Sequence, residues 1–252
     1  NLNPVFFLKG NNYLLESIFF VRNKPKFVKK LEHFKATVNS PKFAKDENVA
    51  TLIFLYSNFH NINQHFIDGS FEEGLELIPV IEKELIKFED KIDPHHRLVF
   101  YYKFASLEFG AGNNKACIKH LDKIISNKTL SMREDLLCFS RVLSLVAHYE
   151  AGLDYHLETL LRSTYKFLIK MNELHEVQKE MIKFIRGLQD IYPQDLKNAF
   201  KKLHKTLVAF EDHPYERRAF LYLDIISWLE SKIENKPVSE IINTKYLTKY
   251  AH

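Results

Sequence analysis

The chain has 252 residues, 46% of them apolar and 27% charged, with a formal net charge of +4. That composition belongs to a folded globular protein and excludes a disordered or low-complexity chain. Seven glycines and eight prolines are too few for the turns of an all-β fold, two cysteines exclude a disulfide framework, and no apolar run approaches the ~18 residues of a membrane span.

The charge is unevenly spread. From Arg22 to Lys45 there are eight basic residues and one acid, Glu32, whereas from Phe71 to Asp93 eight acids face three lysines. Opposed patches of this kind steer partners, although solvated helix faces carry similar runs. Cys117 and Cys138 sit in apolar helical contexts and fit a cytoplasmic location.

Taken in order, the first predicted helix is Asn11–Arg22, after Gly10, and a basic helix follows over Pro25–Val38. Asp46–Asp68 is long: Val49, Leu52, Ile53, Tyr56, Phe59, His60 and Asn63 recur at helical spacing. Gly69-Ser70 ends it, and Ser70 is placed to cap a helix running to about Asp90 with Glu72 and Glu73 in its first turn. Asp93-Pro94 opens the next, which ends near Gly110–Gly112, and Asn113 caps one to about Ser126. Further helices are predicted over Leu130–Ala151, Asp154–Met171, Glu173–Asp190, from Pro193 or Gln194 to before His213, over Tyr215–Glu234 and over Val238–Tyr250.

Five of the seven glycines follow an aromatic residue by three positions: Phe7/Gly10, Phe66/Gly69, Phe109/Gly112, Tyr149/Gly152 and Phe184/Gly187. The central three lie 43 and 40 residues apart, a period typical of helix-pair repeats. Five residues after them come Gly74, Cys117 and Leu157; nine after, Ile78, Leu121 and Leu161; twelve after, Ile81, Ile124 and Thr164; seven before, Ile62, Ala105 and Leu145. In this register Gly ends a first helix, and the later positions form the buried stripe of a second. Gly10 has too few residues before it for a full helix, so the chain reads as the C-terminal part of a longer protein. Val5, Phe6, Phe7, Phe19 and Phe20 are then expected at an exposed end, where a homodimer could form.

The register, and above all Gly69-Ser70-Phe71-Glu72-Glu73-Gly74-Leu75 and Tyr101-x-x-Phe104-Ala105-x-x-x-Phe109-x-x-Gly112, resembles the tetratricopeptide repeat family, with longer spacing and Leu157 at a usually small position. The resemblance is clearest over residues 50–172. It implies an all-α fold: one domain spanning 1–252, a right-handed α-solenoid of antiparallel helix pairs. In that family the first helices of each pair line a groove that holds a peptide. Carried over by the glycine register, the groove residues are Phe59, Asn63, Tyr102, Ser106, Val142 and Val146. Phe59 and Tyr102 stand where members that clamp a terminal carboxylate carry lysines, so such a clamp is not implied. The same spacing suits a buried core face, and that alternative stays open.

No catalytic constellation is visible. None of the twelve histidines forms a zinc-type i, i+4 pair with a third ligand, and no nucleophile elbow, phosphate loop or dinucleotide fingerprint occurs. The expected function is a non-catalytic protein- or peptide-binding scaffold without metal or cofactor. One alternative is the regulatory domain of a transcription regulator whose effector domain lies upstream. The other, less favoured, is a nucleic-acid-binding repeat using Lys24, Lys26, Lys29 and Lys30 with Lys197, Lys201, Lys202 and Lys205.

Overall fold

A computed structural model describes residues 3–43, 46–127, 134–211, 213 and 224–250, and every regular element among them is helical. The helices are α1 (Pro4–Phe20), α2 (Lys24–Val38), α3 (Glu47–Asp68), α4 (Phe71–Leu75), α5 (Leu77–Lys87), α6 (Pro94–Gly110), α7 (Asn114–Ile125), α8 (Glu134–Glu150), α9 (Asp154–Lys170), α10 (Glu176–Gly187), α11 (Pro193–Val208), α12 (Ile225–Glu234) and α13 (Val238–Tyr250). The predicted helix starts at Leu130 and Tyr215 lie outside the described residues.

Short polar residues start several helices as their chemistry requires. Asn3 accepts from the Val5 N–H (3.0 Å), Asp46 from that of Asn48 (2.8 Å), Asp93 from that of His96 (3.0 Å) and Asp224 from that of Ser227 (2.9 Å). At Asp93 burial works to raise the carboxyl. The His96 backbone N–H and ring, with the charges of His96 and His95, outweigh it and hold the group below its ordinary value. Ser70 and Asn113 stand at the predicted starts but do not cap through their side chains. Each follows a left-handed turn and reaches back onto the helix just ended: Ser70 Oγ lies 2.8 Å from His65 Nδ1, and Asn113 Nδ2 donates to Glu108 (2.9 Å). The helix predicted from Ser70 to Asp90 is divided at Glu76. Pro79 explains the break, since it offers no N–H to the carbonyl of Leu75 and its ring crowds that oxygen.

The glycine mark acquires a mechanism at the helix ends. Gly112 and Gly152 have φ of +81° and +65°. Their N–H groups donate to the carbonyls of Phe109 and Tyr149, and the next residues, Asn113 and Leu153, donate to Glu108 and His148. This paired bonding closes a helix on a left-handed residue, so the aromatic three positions earlier is the acceptor residue of the turn. Gly69 is left-handed as well, at φ +66°. Gly10 and Gly187 are different: both lie within helices and neither has positive φ. The reading of Gly10 as a helix end is therefore corrected, and α1 runs unbroken from Pro4.

The turn equivalent to Gly69, Gly112 and Gly152 is instead Arg22. It has φ +52°, its N–H donates to the Phe19 carbonyl (2.9 Å), and the Asn23 N–H donates to Ile18 (3.3 Å). Residues counted from each of the three glycines at −7, +5, +9 and +12 are all buried. Counted from Arg22 the same positions are Leu15, Phe27, Leu31 and Phe34, each no more than 1% exposed. A fully buried side chain of this size contributes about 1.5–3 kcal/mol, so the register is a ledger of the main core positions as well as a spacing. The four turns lie 47, 43 and 40 residues apart.

Contacts divide the chain into two compact units, Asn1–Phe100 and Tyr101–His252, with the division inside α6. In the first unit α1 packs on α2 and α3, α2 on α3, and α3 on α4. In the second, α8 packs on α7, α9 and α10; α9 also meets α10, and α10 to α13 pack each on the next. Of the aromatic cluster expected at an exposed end, Phe7 lies 5.5 Å from Phe43, and Phe19 sits among Phe20, Phe27 and Phe66. Phe6 is the member left in solvent, 76% exposed.

Candidate functional site

The six residues placed by register in a peptide groove lie on α3, α6 and α8, two in the first unit and four in the second. Five are buried and Ser106 is half-buried. Phe59 packs 4.5 Å from Phe100 and stacks on His96. Asn63 approaches Nδ1 of His60 at 3.4 Å, and His60 Nε2 lies 2.9 Å from Asn12 Oδ1. Ser106 Oγ donates to the Tyr102 carbonyl (2.9 Å). Val142 and Val146 are core residues of α8, 6% and 0% exposed. The pairs 59/63, 102/106 and 142/146 are i, i+4, which places both members on one helix face; in each case that face is turned inward.

Two polar clusters, one fully buried and one part-buried, were not visible in the sequence. His60 is fully buried in the first unit between Asn12 of α1 and Asn63 of α3, with Phe27 edge-on to its ring. Asn12 Oδ1 meets Nε2 and the Asn63 amide nitrogen faces Nδ1, so both ring nitrogens have a polar neighbour. In the second unit Glu150 ends α8 and receives the indole N–H of Trp228 (2.8 Å) and the ammonium of Lys232. On the same helix as Trp228, Glu230 pairs with His204 (3.1 Å) and Lys245 (2.6 Å), and Lys245 donates to Ser227 Oγ (3.0 Å). Ser227 is fully buried and its neighbour Lys245 is engaged by Glu230. The cluster ties α11, α12 and α13 together.

The two thiols are free and buried. Burial pushes Cys138 up to about 12 and Cys117 higher still, which keeps both protonated and poor nucleophiles. No group of three or more His, Cys, Asp or Glu side chains among the described residues is arranged to hold a metal ion. No helix among them is long and apolar enough to cross a membrane.

Three helix faces present chemistry outward. On α1, Phe6, Tyr13 and Leu14 are exposed by 76%, 65% and 45%, and its C-cap residue Val21 by 57%. On α9, Tyr155, Tyr165 and Ile169 are exposed, with Arg162 among them and held by Glu158 at 2.8 Å. On α11, Lys197, Lys201, Lys202 and Lys205 are all exposed. Comparison with family models, with curated proteins and with solved structures gives no match to this chain.

Proposed function

We propose that the chain is a non-catalytic protein- or peptide-binding scaffold, a right-handed α-solenoid of antiparallel helix pairs with a tetratricopeptide-like arrangement, acting in the cytoplasm. The observation that carries this reading is the shared register at Arg22, Gly69, Gly112 and Gly152, where a first helix ends on a left-handed residue and the same offsets are buried. Within each unit, successive first helices also touch: α1 meets α3, and α8 meets α10. Stacking of this kind builds extended surfaces from repeated units.

The partner surface proposed here is made of exposed residues, because five of the six register-placed residues are buried and Ser106 is half-buried. The outer face of α9 carries Tyr155, Arg162 and Ile169 at seven-residue spacing with Tyr165 beside them, and Tyr and Arg dominate binding energy at protein interfaces. A peptide library selected on the whole chain should yield ligands whose affinity falls about tenfold or more in Tyr155→Ala and Arg162→Glu, with no change in thermal midpoint. Selected ligands indifferent to both substitutions would contradict the α9 surface; a failure to select any ligand would contradict the scaffold.

The lysine row of α11 supports a second reading, binding of a nucleic-acid backbone. That reading requires affinity for a duplex to fall steeply as salt rises, and no shift at low ionic strength would eliminate it.

A further inference from the structure

We propose that α1 is a self-association helix, pairing antiparallel with α1 of a second copy of this chain about a two-fold axis between residues 13 and 14. Gly10 prompts the inference. It lies inside α1, is exposed, and does not have the positive φ that favours glycine. A Cβ built on it meets nothing within 4 Å. Glycine in a helix interior weakens the helix, and nothing among the described residues requires it here. Close approach of another backbone from outside does require it.

The residues around Gly10 fit that approach. Phe6, Gly10, Tyr13 and Ser17 run along one face of α1 at helical spacing, the C-cap residue Val21 continues it, and Leu14 lies on its flank. Ser17 donates its hydroxyl to the Tyr13 carbonyl (2.8 Å), so its side chain offers a small, already satisfied surface. Rotation about the stated axis sets Phe6 against Val21, Tyr13 against Leu14, and Gly10 against Ser17. The two small residues meet each other, and the large ones fill the spaces to either side. The face is therefore self-complementary in size.

It is self-complementary in charge as well. Lys9 is exposed and makes no ion pair among the described residues. In the antiparallel register it falls within two positions of Glu16 of the second copy, on the same flank, where it would add to the interactions Glu16 already makes within its own chain, and the symmetry repeats the pair. The helix is about 25 Å long, so a contact confined to it lies at the small end of specific interfaces. The dimer is accordingly expected to be weak, dissociating at about micromolar concentrations or above.

The inference rests on the reading of the N-terminal end as an association surface. It is independent of the α9 surface, so a monomeric chain that still binds selected peptides would remove this proposal and leave the scaffold standing. The experiment is sedimentation equilibrium of the full chain from about 1 to about 300 μM, the range a weak interface requires. Wild type should move from monomer to dimer across it. Gly10→Gln, which places its side chain in open space and improves helix propensity, should keep its helical circular dichroism and raise Kd about tenfold or more. Lys9→Glu should weaken the dimer, and the double variant Lys9→Glu with Glu16→Lys should restore it. A wild-type chain that stays monomeric throughout leaves α1 for a different partner and overturns the proposal. An unchanged Kd in Gly10→Gln overturns it too, and failure of the charge swap to restore the dimer overturns the antiparallel register.

Discussion

Trp228→Ala is expected to lower the stability of the second unit by about 3–5 kcal/mol, the range for deleting a buried aromatic side chain. The chain contains a single tryptophan, and it is 1% exposed on α12. Its ring packs edge-on to Phe200 of α11, which in turn packs on Phe184 of α10. Its N–H is a donor to Glu150 at the end of α8. Truncation would open a cavity among these helices and strip one hydrogen bond from a carboxylate whose side chain is only 13% exposed. Trp228→Phe separates the two effects. It keeps an aromatic ring against Phe200 and leaves Lys232 on Glu150, so its cost should fall to about 1–2 kcal/mol, closer to the hydrogen bond alone. Urea unfolding followed by far-ultraviolet circular dichroism measures both. Equal losses in the two variants would show that the indole N–H, not the packing, is what matters.

His60→Ala is expected to be the corresponding lesion in the first unit, at about 3 kcal/mol. The ring is completely buried, touches Phe27 of α2, and is hydrogen-bonded to Asn12 of α1 and Asn63 of α3. It thus joins three helices at one point. Removing it costs volume and also takes a partner from each amide, and a buried polar group left unmatched costs about 1–3 kcal/mol. His60→Phe restores volume and not polarity, and should recover part of the loss. Hydrogen exchange of amides in α1 and α3 is the suitable measurement, because protection should fall in the first unit. A His60→Ala protein with unaltered protection of both helices would contradict the role given to this cluster.

Much of the helical framework was legible in the sequence, because its signals are local. Asp46, Asp93 and Pro193 start helices where their chemistry says they should. The division between α4 and α5 was also legible in principle, since Pro79 stands where a continuing helix could not accept it. The turn that ends α1 carries no glycine to mark it. Arg22 occupies the left-handed turn instead, and the available signal was Phe19 three residues before it with Leu15, Phe27, Leu31 and Phe34 at the register offsets.

The candidate site was less legible, for a reason that Phe59, Asn63, Val142 and Val146 make plain. Helical periodicity shows which residues share a face, and not which way the face is turned. The polar clusters lay further beyond reach: Asn12 and His60 are 48 residues apart, and Glu150 and Trp228 are 78 apart. No spacing rule connects such pairs. The exposed α1 face was visible as an apolar end, but only the structure shows that Phe7 and Phe19 leave it and that Gly10 lies within an unbroken helix.

The repeat itself is the claim on which the scaffold reading depends, and its weakest-looking member is Arg22. If position 22 is the left-handed end of a first helix, glycine should suit it better than arginine, and Gly112→Ala and Gly152→Ala should show the converse. The most direct measurement is therefore the urea midpoint of Arg22→Gly beside those two variants in dilute protein. The repeat requires Arg22→Gly to stabilise by about 0.5–1 kcal/mol while each Gly→Ala loses about 1–2 kcal/mol. An Arg22→Gly protein that is destabilised, as a glycine in a helix interior would be, contradicts a repeat beginning at α1.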